Sequence, residues 1–448
     1  MAQREPPGSA ALGAFISETV FEDVPDAAVR LAERCFIDTV GVTLAGATEG
    51  AGATAAAIAE EGSTTLLGRE ETATLAEAAL VNGTAGHGLD FDDVSWGMDG
   101  HPSVTLVAPA LAVGERIDAT GRDLLTAFIA GFETECALAA PISPGHYERG
   151  WHPTATFGTF GAAAVTASLL DLDERATQHA LDIAASMPAG LKRNFGTMTK
   201  PLHVGQAVRS GVTAGQLADE GFTADSAAIS GSGGFWDLYG GIDGVDRDVE
   251  YGLGKPWAVL EDGVHVKKYP CCYFTHTSIA NAIDLVTEFD VEPDEVERIE
   301  VHASGGAVDA LPHEDPTTGL EAKFSMPHTV AWAVVHRRVG LAAFEESARE
   351  DSAVDALRDH VSLSVDPELH YDAHESRMSL ETTDGDVYER VRENPPGTHE
   401  DPLSLEELRV KYEMCAERAL EPAAVADSWA ALDDLRSQPS TRALVNTL

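Results

Sequence analysis

Residues Gly86 to Ser103 read GHGLDFDDVSWGMDGHPS and set three aspartates, Asp90, Asp92 and Asp93, between His87 and His101. Imidazoles and carboxylates this close along a chain suit two chemistries. They can exchange protons at neutral pH, because histidine titrates near ~6.5 and a positioned acid or base speeds proton transfer. They can also hold a metal. His87, Asp90, Asp92, His101 and the more distant His152 offer the mixed nitrogen and oxygen donors that suit manganese or iron. The spacing matches no metal motif, however, and C-x-x-C, H-E-x-x-H and EF-hand patterns are absent from the sequence. No metal and no cofactor are expected. Asp92 and Asp93 have a further reading, as buried acids that hydrogen-bond a helix end.

Lysine usage points to a second set. The chain has seven lysines against 23 arginines, and six of the seven, Lys192, Lys200, Lys255, Lys267, Lys268 and Lys323, fall between positions 192 and 323. A lysine kept where lysine is otherwise scarce is a candidate for work that a solvated charge does not do. Several sit beside proline, as do several histidines: His101–Pro102, His152–Pro153, Lys200–Pro201, Lys267 and Lys268 ahead of Pro270, and His328 after Pro327. Proline favours the first helical turn and pushes the preceding residue to an extended conformation. Each motif is therefore expected to place a His or Lys at the mouth of a helix, where unpaired N–H groups attract anions.

Five such mouths suit a small molecule with several carboxylates. Polycarboxylates react at the carbon next to a carboxylate, which needs that carboxylate neutralised and a base nearby. Loss of a β-hydroxyl also needs an acid for the departing oxygen. Lys, Arg, His and Asp supply all of these. Competing chemistries lack their signatures: SGSGGFWDLYGG is glycine-rich but is not a phosphate loop, and no G-x-S-x-G elbow occurs.

The elements that must position these residues change character along the chain. From Pro25 to about Gly221 apolar residues recur at three and four, with many Ala and Gly, which predicts closely packed helices. Beyond about Gly263, VERIEVHAS, HVSLSVDPEL and RMSLETTDGDVYERV alternate apolar and polar residues as half-buried strands do, and the last two are close enough to pair. SLEELRVKYEMCAERAL resumes helix, with Ser404 and Glu407 in capping-box spacing. The expected architecture is mainly α: a large all-helical domain over 1–262, a smaller α+β lid over 263–400, and C-terminal helices over 401–448 that return to the first domain.

Composition bounds the setting. Seventy-four acidic residues against 30 basic ones give a net charge of −44, spread along a chain that is 44% hydrophobic and so not a disordered tail. Such a surface repels nucleic acid and anionic membranes. It suits a salt-rich cytosol, where the Debye length falls to about 3 Å at 1 M salt. Five cysteines, two of them adjacent, argue against a secreted disulfide framework, and the N-terminus lacks a signal-peptide core. A cytoplasmic protein that binds no nucleic acid and no membrane is expected.

GHGLDFDDV…HPS, GTMTKPLHVGQAVRSGVTAGQLADEGFT, KKYPCCYFTHTSIANAI and AKFSMPHTVAWAVV together resemble the MmgE/PrpD family, over residues 10 to 440. That family includes 2-methylcitrate dehydratase, cis-aconitate decarboxylase and an epimerase of iminodisuccinate. The resemblance implies a homodimer of a helical domain and an α+β lid, with a cofactor-free site between them. It implies that Asp90, His101, His152, Lys200 and Lys267 are catalytic. Lys268, Lys192, Arg193, His203 and His328, in or beside the same motifs, are expected to bind substrate. The decarboxylase has a tyrosine where this chain has His328 and a threonine where it has Val94, departures that weigh against decarboxylation. The expected activity is therefore a carbon–oxygen lyase acting on a polycarboxylate, in the manner of 2-methylcitrate dehydratase. Epimerisation of a dicarboxylate, decarboxylation and non-catalytic polycarboxylate binding are the alternatives.

Overall fold

The computed structural model describes residues 8–48, 50–371 and 373–448. The chain divides into two compact units, one running to Val266 and resuming at Ser404–Leu448, the other spanning Lys267–Leu403.

The first unit is a helical bundle. Its principal members are α1 (Asp26–Ala47), α2 (Leu75–Gly86), α3 (Pro102–Ile117), α4 (Gly121–Ala139), α5 (Pro153–Leu169) and α6 (Thr199–Asp219). Punctuation in the sequence sets their starts. Proline occupies the first position of α3 and α5, and a Thr120–Asp123 capping box opens α4. PTATFGTFGAAAVTASL is apolar or small on every face, so α5 is buried along almost its whole length and lies at the centre. Around it pack α3, α4 and α6. Two glycines permit the close approach. A side chain at Gly158 would overlap Thr105 of α3, and one at Gly205 would overlap Thr84 and the Leu80 carbonyl of α2.

The helical run from Pro25 to Gly221 is not unbroken. A two-stranded antiparallel ribbon, β1 (Glu61–Thr65) with β2 (Thr72–Ala73), interrupts it. Its sequence, EGSTTLLGREETA, is polar and threonine-rich, and Gly68 takes the left-handed backbone its turn requires.

The second unit covers one face of a four-stranded sheet with α7 (His276–Glu288) and α8 (Met326–His336). The strands are β3 (Val296–Ala303), β4 (Val361–Val365), β5 (Ser376–Thr382) and β6 (Val387–Arg392), in spatial order β4-β3-β5-β6. Ile279, Val286, Val330 and Val334 from the helices meet Ile299, Val301, Met378 and Leu380 from the strands in one core. The expected pairing of HVSLSVDPEL with RMSLETTDGDVYERV does not occur. The second segment folds on itself as a hairpin through Asp384–Gly385, pairing Leu380 with Tyr388. The other edge of β5 is taken by β3, with Ile299 opposite Leu380, so β4 can join only the far side of β3, in parallel.

The chain then returns to the first unit as α9 (Leu405–Ala416), which packs on α1 behind the expected Ser404–Glu407 capping box. No helix among the described residues is long and apolar enough to cross a membrane.

Candidate active site

Within the first unit the start of three helices and the end of a fourth bring the chemistry-bearing residues together. His87 ends α2. His101 and His152 are the N-cap residues of α3 and α5, each followed by proline as expected. Lys200 lies inside the first turn of α6 rather than ahead of it. A turn that closes from the Lys200 N–H to the Thr197 carbonyl winds the helix before Pro201 is reached. His203 follows one turn on. The segment between α2 and α3 turns sharply at Asp90, whose φ of 54° is a left-handed conformation that aspartate tolerates.

Two acid–base groups result. Lys200 Nζ donates to Asp90 Oδ1 at 2.6 Å, with both side chains nearly enclosed. Beside it, Asp92 Oδ2 lies 2.7 Å from His87 Nδ1 and 3.2 Å from His101 Nδ1. His152 stacks on His87 at 5.6 Å between ring centres and reaches His203, with their Nδ1 atoms 3.1 Å apart. Phe195 closes one edge of His152 and lies near the Lys200 ammonium.

Burial governs the electrostatics. It pulls His87 down to about 4 and His152 well below the usual imidazole range, with the Lys200 charge adding to both, so these rings are neutral at pH 7. His203 moves down for the same two reasons. Burial pushes Asp92 up, but the His87 and His101 imidazoles together outweigh it and hold this carboxyl well below its ordinary value. Asp93 goes the other way, raised to about 7 by burial and then by the Asp38 charge. Its Oδ1 accepts the Ser103 N–H at the start of α3, which is the helix-end role open to it from sequence.

The loop that carries these groups is clamped from outside. Val94 and His265 exchange backbone hydrogen bonds of 3.0 and 2.8 Å, and Ser95 Oγ donates to the Gly263 carbonyl. Lys411 on α9 donates to the Phe91 carbonyl at 2.8 Å and pairs with buried Asp38 on α1. This is the one lysine outside the 192–323 group, and its task is to support the loop.

The other expected residues are placed differently. Lys192 opens a short 3-10 turn and turns to Tyr147, donating to its carbonyl and lying over its ring, while Arg193 is exposed. Lys267, Lys268 and His328 belong to the second unit. No helix starts at Pro270, because Cys271 and Cys272 spend their backbone N–H groups on the carbonyls of Tyr269 and Lys323; the helix begins at His276. Lys267 is buried, and its charge reaches the Cys271 thiol, as does that of buried Lys323. His328 lies in the first turn of α8 behind the Ser325 cap, with Nε2 donating to the Ala343 carbonyl at 2.8 Å.

His87 and Asp92 are absent from the expected site set, although both entered the metal reading. Their ligand atoms and those of His101 lie within 4.8 Å of one another, close enough for one ion. The sequence signal was the pair of acids five and six residues after a histidine that ends an apolar helix.

This assembly can neutralise a carboxylate with Lys200 and helix N-termini, and can move a proton on an imidazole held by a carboxylate. The chain is 28% identical over 360 residues to the cis-aconitate decarboxylase of Mus musculus, covering 77% of this chain and 72% of that protein. It is 26% identical over 442 residues to a cis-aconitate decarboxylase-like protein of Aspergillus oryzae, covering 91% and 90%. With the 2-methylcitrate dehydratase of Escherichia coli it shares 22% over 343 residues, 70% and 69% of the two chains. The MmgE/PrpD N-terminal domain matches residues 10–248 and the MmgE/PrpD C-terminal domain residues 269–435. The chain belongs to the MmgE/PrpD family and is an enzyme, a lyase of that type.

Proposed function

We propose that this protein is a cytoplasmic, homodimeric lyase that needs no cofactor and removes water from a small polycarboxylate. One observation carries the reading: a buried carboxylate, Asp92, hydrogen-bonds His87 and lies 3.2 Å from His101 Nδ1 beside the Lys200–Asp90 pair, where three helices begin. Lys200 and the helix N-termini bind the carboxylate next to the reacting carbon and stabilise charge as it develops. His101 takes the proton from that carbon. The β C–O bond then breaks, and the oxygen leaves as water with the proton that His101 has just taken up, while Asp90 orients Lys200 and His152 lines the same site. Within the first unit His203, Lys192 and Arg193 are the candidates for the remaining carboxylates; within the second, the family resemblance makes Lys267 a catalytic candidate and Lys268 and His328 substrate-binding candidates.

Decarboxylation is the second reading, favoured by the higher identity to cis-aconitate decarboxylase, 28% against 22% for the dehydratase. Product analysis separates the two. Dehydration of 2-methylcitrate or citrate yields an unsaturated acid without loss of carbon, whereas cis-aconitate would release carbon dioxide. Carbon dioxide release with no dehydration anywhere on a di- and tricarboxylate panel would overturn the first reading.

A further inference from the structure

We propose that Asp92 is the positioning residue of the acid–base group: its shared Oδ2 fixes His101 as the Nδ1–H tautomer and leaves Nε2 as the atom that takes the substrate proton. This rests on the function proposed above. An ionised carboxylate can only accept hydrogen bonds, and His87 donates its Nδ1–H to Oδ2 at 2.7 Å. His101 Nδ1, buried and making no other hydrogen bond among the described residues, lies 3.2 Å from the same oxygen, the acceptor to which an Nδ1–H there can turn. Each ring then carries its lone pair on Nε2. The two rings are not equivalent. His87 is wholly enclosed and its Nε2 is buried, while the His101 side chain keeps 12% exposure. His101 is thus the member that a ligand can reach.

His87 serves the positioning. It stands edge-on to His101, with ring centres 4.7 Å apart at 73°, and its N–H donates to the same oxygen. A carboxylate with no exposure needs such a donor, and the His87 N–H sets its Oδ2 to face the His101 ring. The backbone on either side is held by Lys411 at Phe91 and by the helix cap at Asp93. On the other side, the His101 N–H donates to Thr154 Oγ1 at 3.1 Å and ties the cap of α3 to the first turn of α5. Oxygen and ring are therefore both anchored to elements, not only to each other.

The test is nitrogen NMR of protein labelled with 15N at its 16 histidines, at pH 8, with His101 assigned by the signals missing from His101→Gln. We expect His101 as the Nδ1–H tautomer. In Asp92→Asn we expect a shift toward Nε2–H and a fall in kcat of about 10³–10⁴ with little change in KM, as follows when a base loses its orienting carboxylate but the binding groups stay. A parent protein whose His101 is Nε2–H overturns the inference, and this measurement decides it even if Asp92→Asn does not fold. A folded Asp92→Asn with unchanged tautomer and kcat overturns it equally. Nδ1–H in a parent that turns over no polycarboxylate supports the contact and overturns the functional reading instead.

Discussion

Replacing Lys411 by methionine removes a charge from beneath the catalytic loop while keeping most of the side chain's length. Lys411 Nζ lies 2.5 Å from Asp38 Oδ1 and 2.8 Å from the Phe91 carbonyl, with only 4% of the lysine side chain and none of the aspartate exposed. In the variant, Asp38 must either stay ionised without a partner or take up a proton. The second route limits the cost. Holding a carboxyl of ordinary pKa ~3.9 protonated at pH 7 costs about 4 kcal/mol. The Phe91 carbonyl also loses a donor, and methionine packing on the Phe91 ring offsets part of that. A loss of about 3–5 kcal/mol at pH 7 follows, the range for a broken buried ion pair. The sign with pH is fixed as well. Burial already raises Asp38 despite Lys411. Removing the lysine raises it further, so stability present below pH ~3.9 is lost more steeply as pH rises. At pH 5 the proton costs only about 1.5 kcal/mol. Urea unfolding in molar KCl, followed by tryptophan fluorescence at pH 5, 6, 7 and 8, measures the difference. A penalty below about 1 kcal/mol at pH 7, or one that shrinks with rising pH, refutes the reasoning.

Lys200→Met and His101→Gln should keep near-parental melting temperatures in high salt yet lose about 10²–10³ in turnover, the usual effect of removing one stabilising group; folded variants with full activity would remove both residues from the site. Asp93, raised to about 7, gives up stability as pH climbs from its unfolded value near ~3.9 through 7. Asp93→Asn cannot ionise, so its stability relative to the parent should grow over pH 5–8, which chemical denaturation at each pH reports. The melting temperature of a chain with net charge −44 should rise steeply with KCl, and a flat response would contradict the salt-rich setting. Dialysis against a strong chelator should leave turnover intact; stoichiometric metal by elemental analysis, with activity lost on its removal, would assign His87, Asp92 and His101 to an ion instead.

The sequence by itself determined the parts of this protein that depend on local rules. Proline after His101 and His152 marks where α3 and α5 begin, because the ring suits the first helical turn and leaves the preceding residue as the cap. Ser404 and Glu407 mark the start of α9 in the same way, and period-two alternation marks β3 and β4. The motifs also marked the family. Tertiary structure decided what has no local signature. Whether β4 pairs with β5 or β3 depends on which edges are already filled. Whether Lys267 stands at a helix mouth depends on where the Cys271 and Cys272 N–H groups find acceptors. Lys411 and Asp38 meet only because α9 returns to α1. Asp92 comes within reach of both His87 and His101 only because the chain reverses at Asp90 between two packed helices. Hydrogen bonds and buried charges act over about 3 Å in space, and a one-dimensional pattern carries that distance only where the backbone itself repeats.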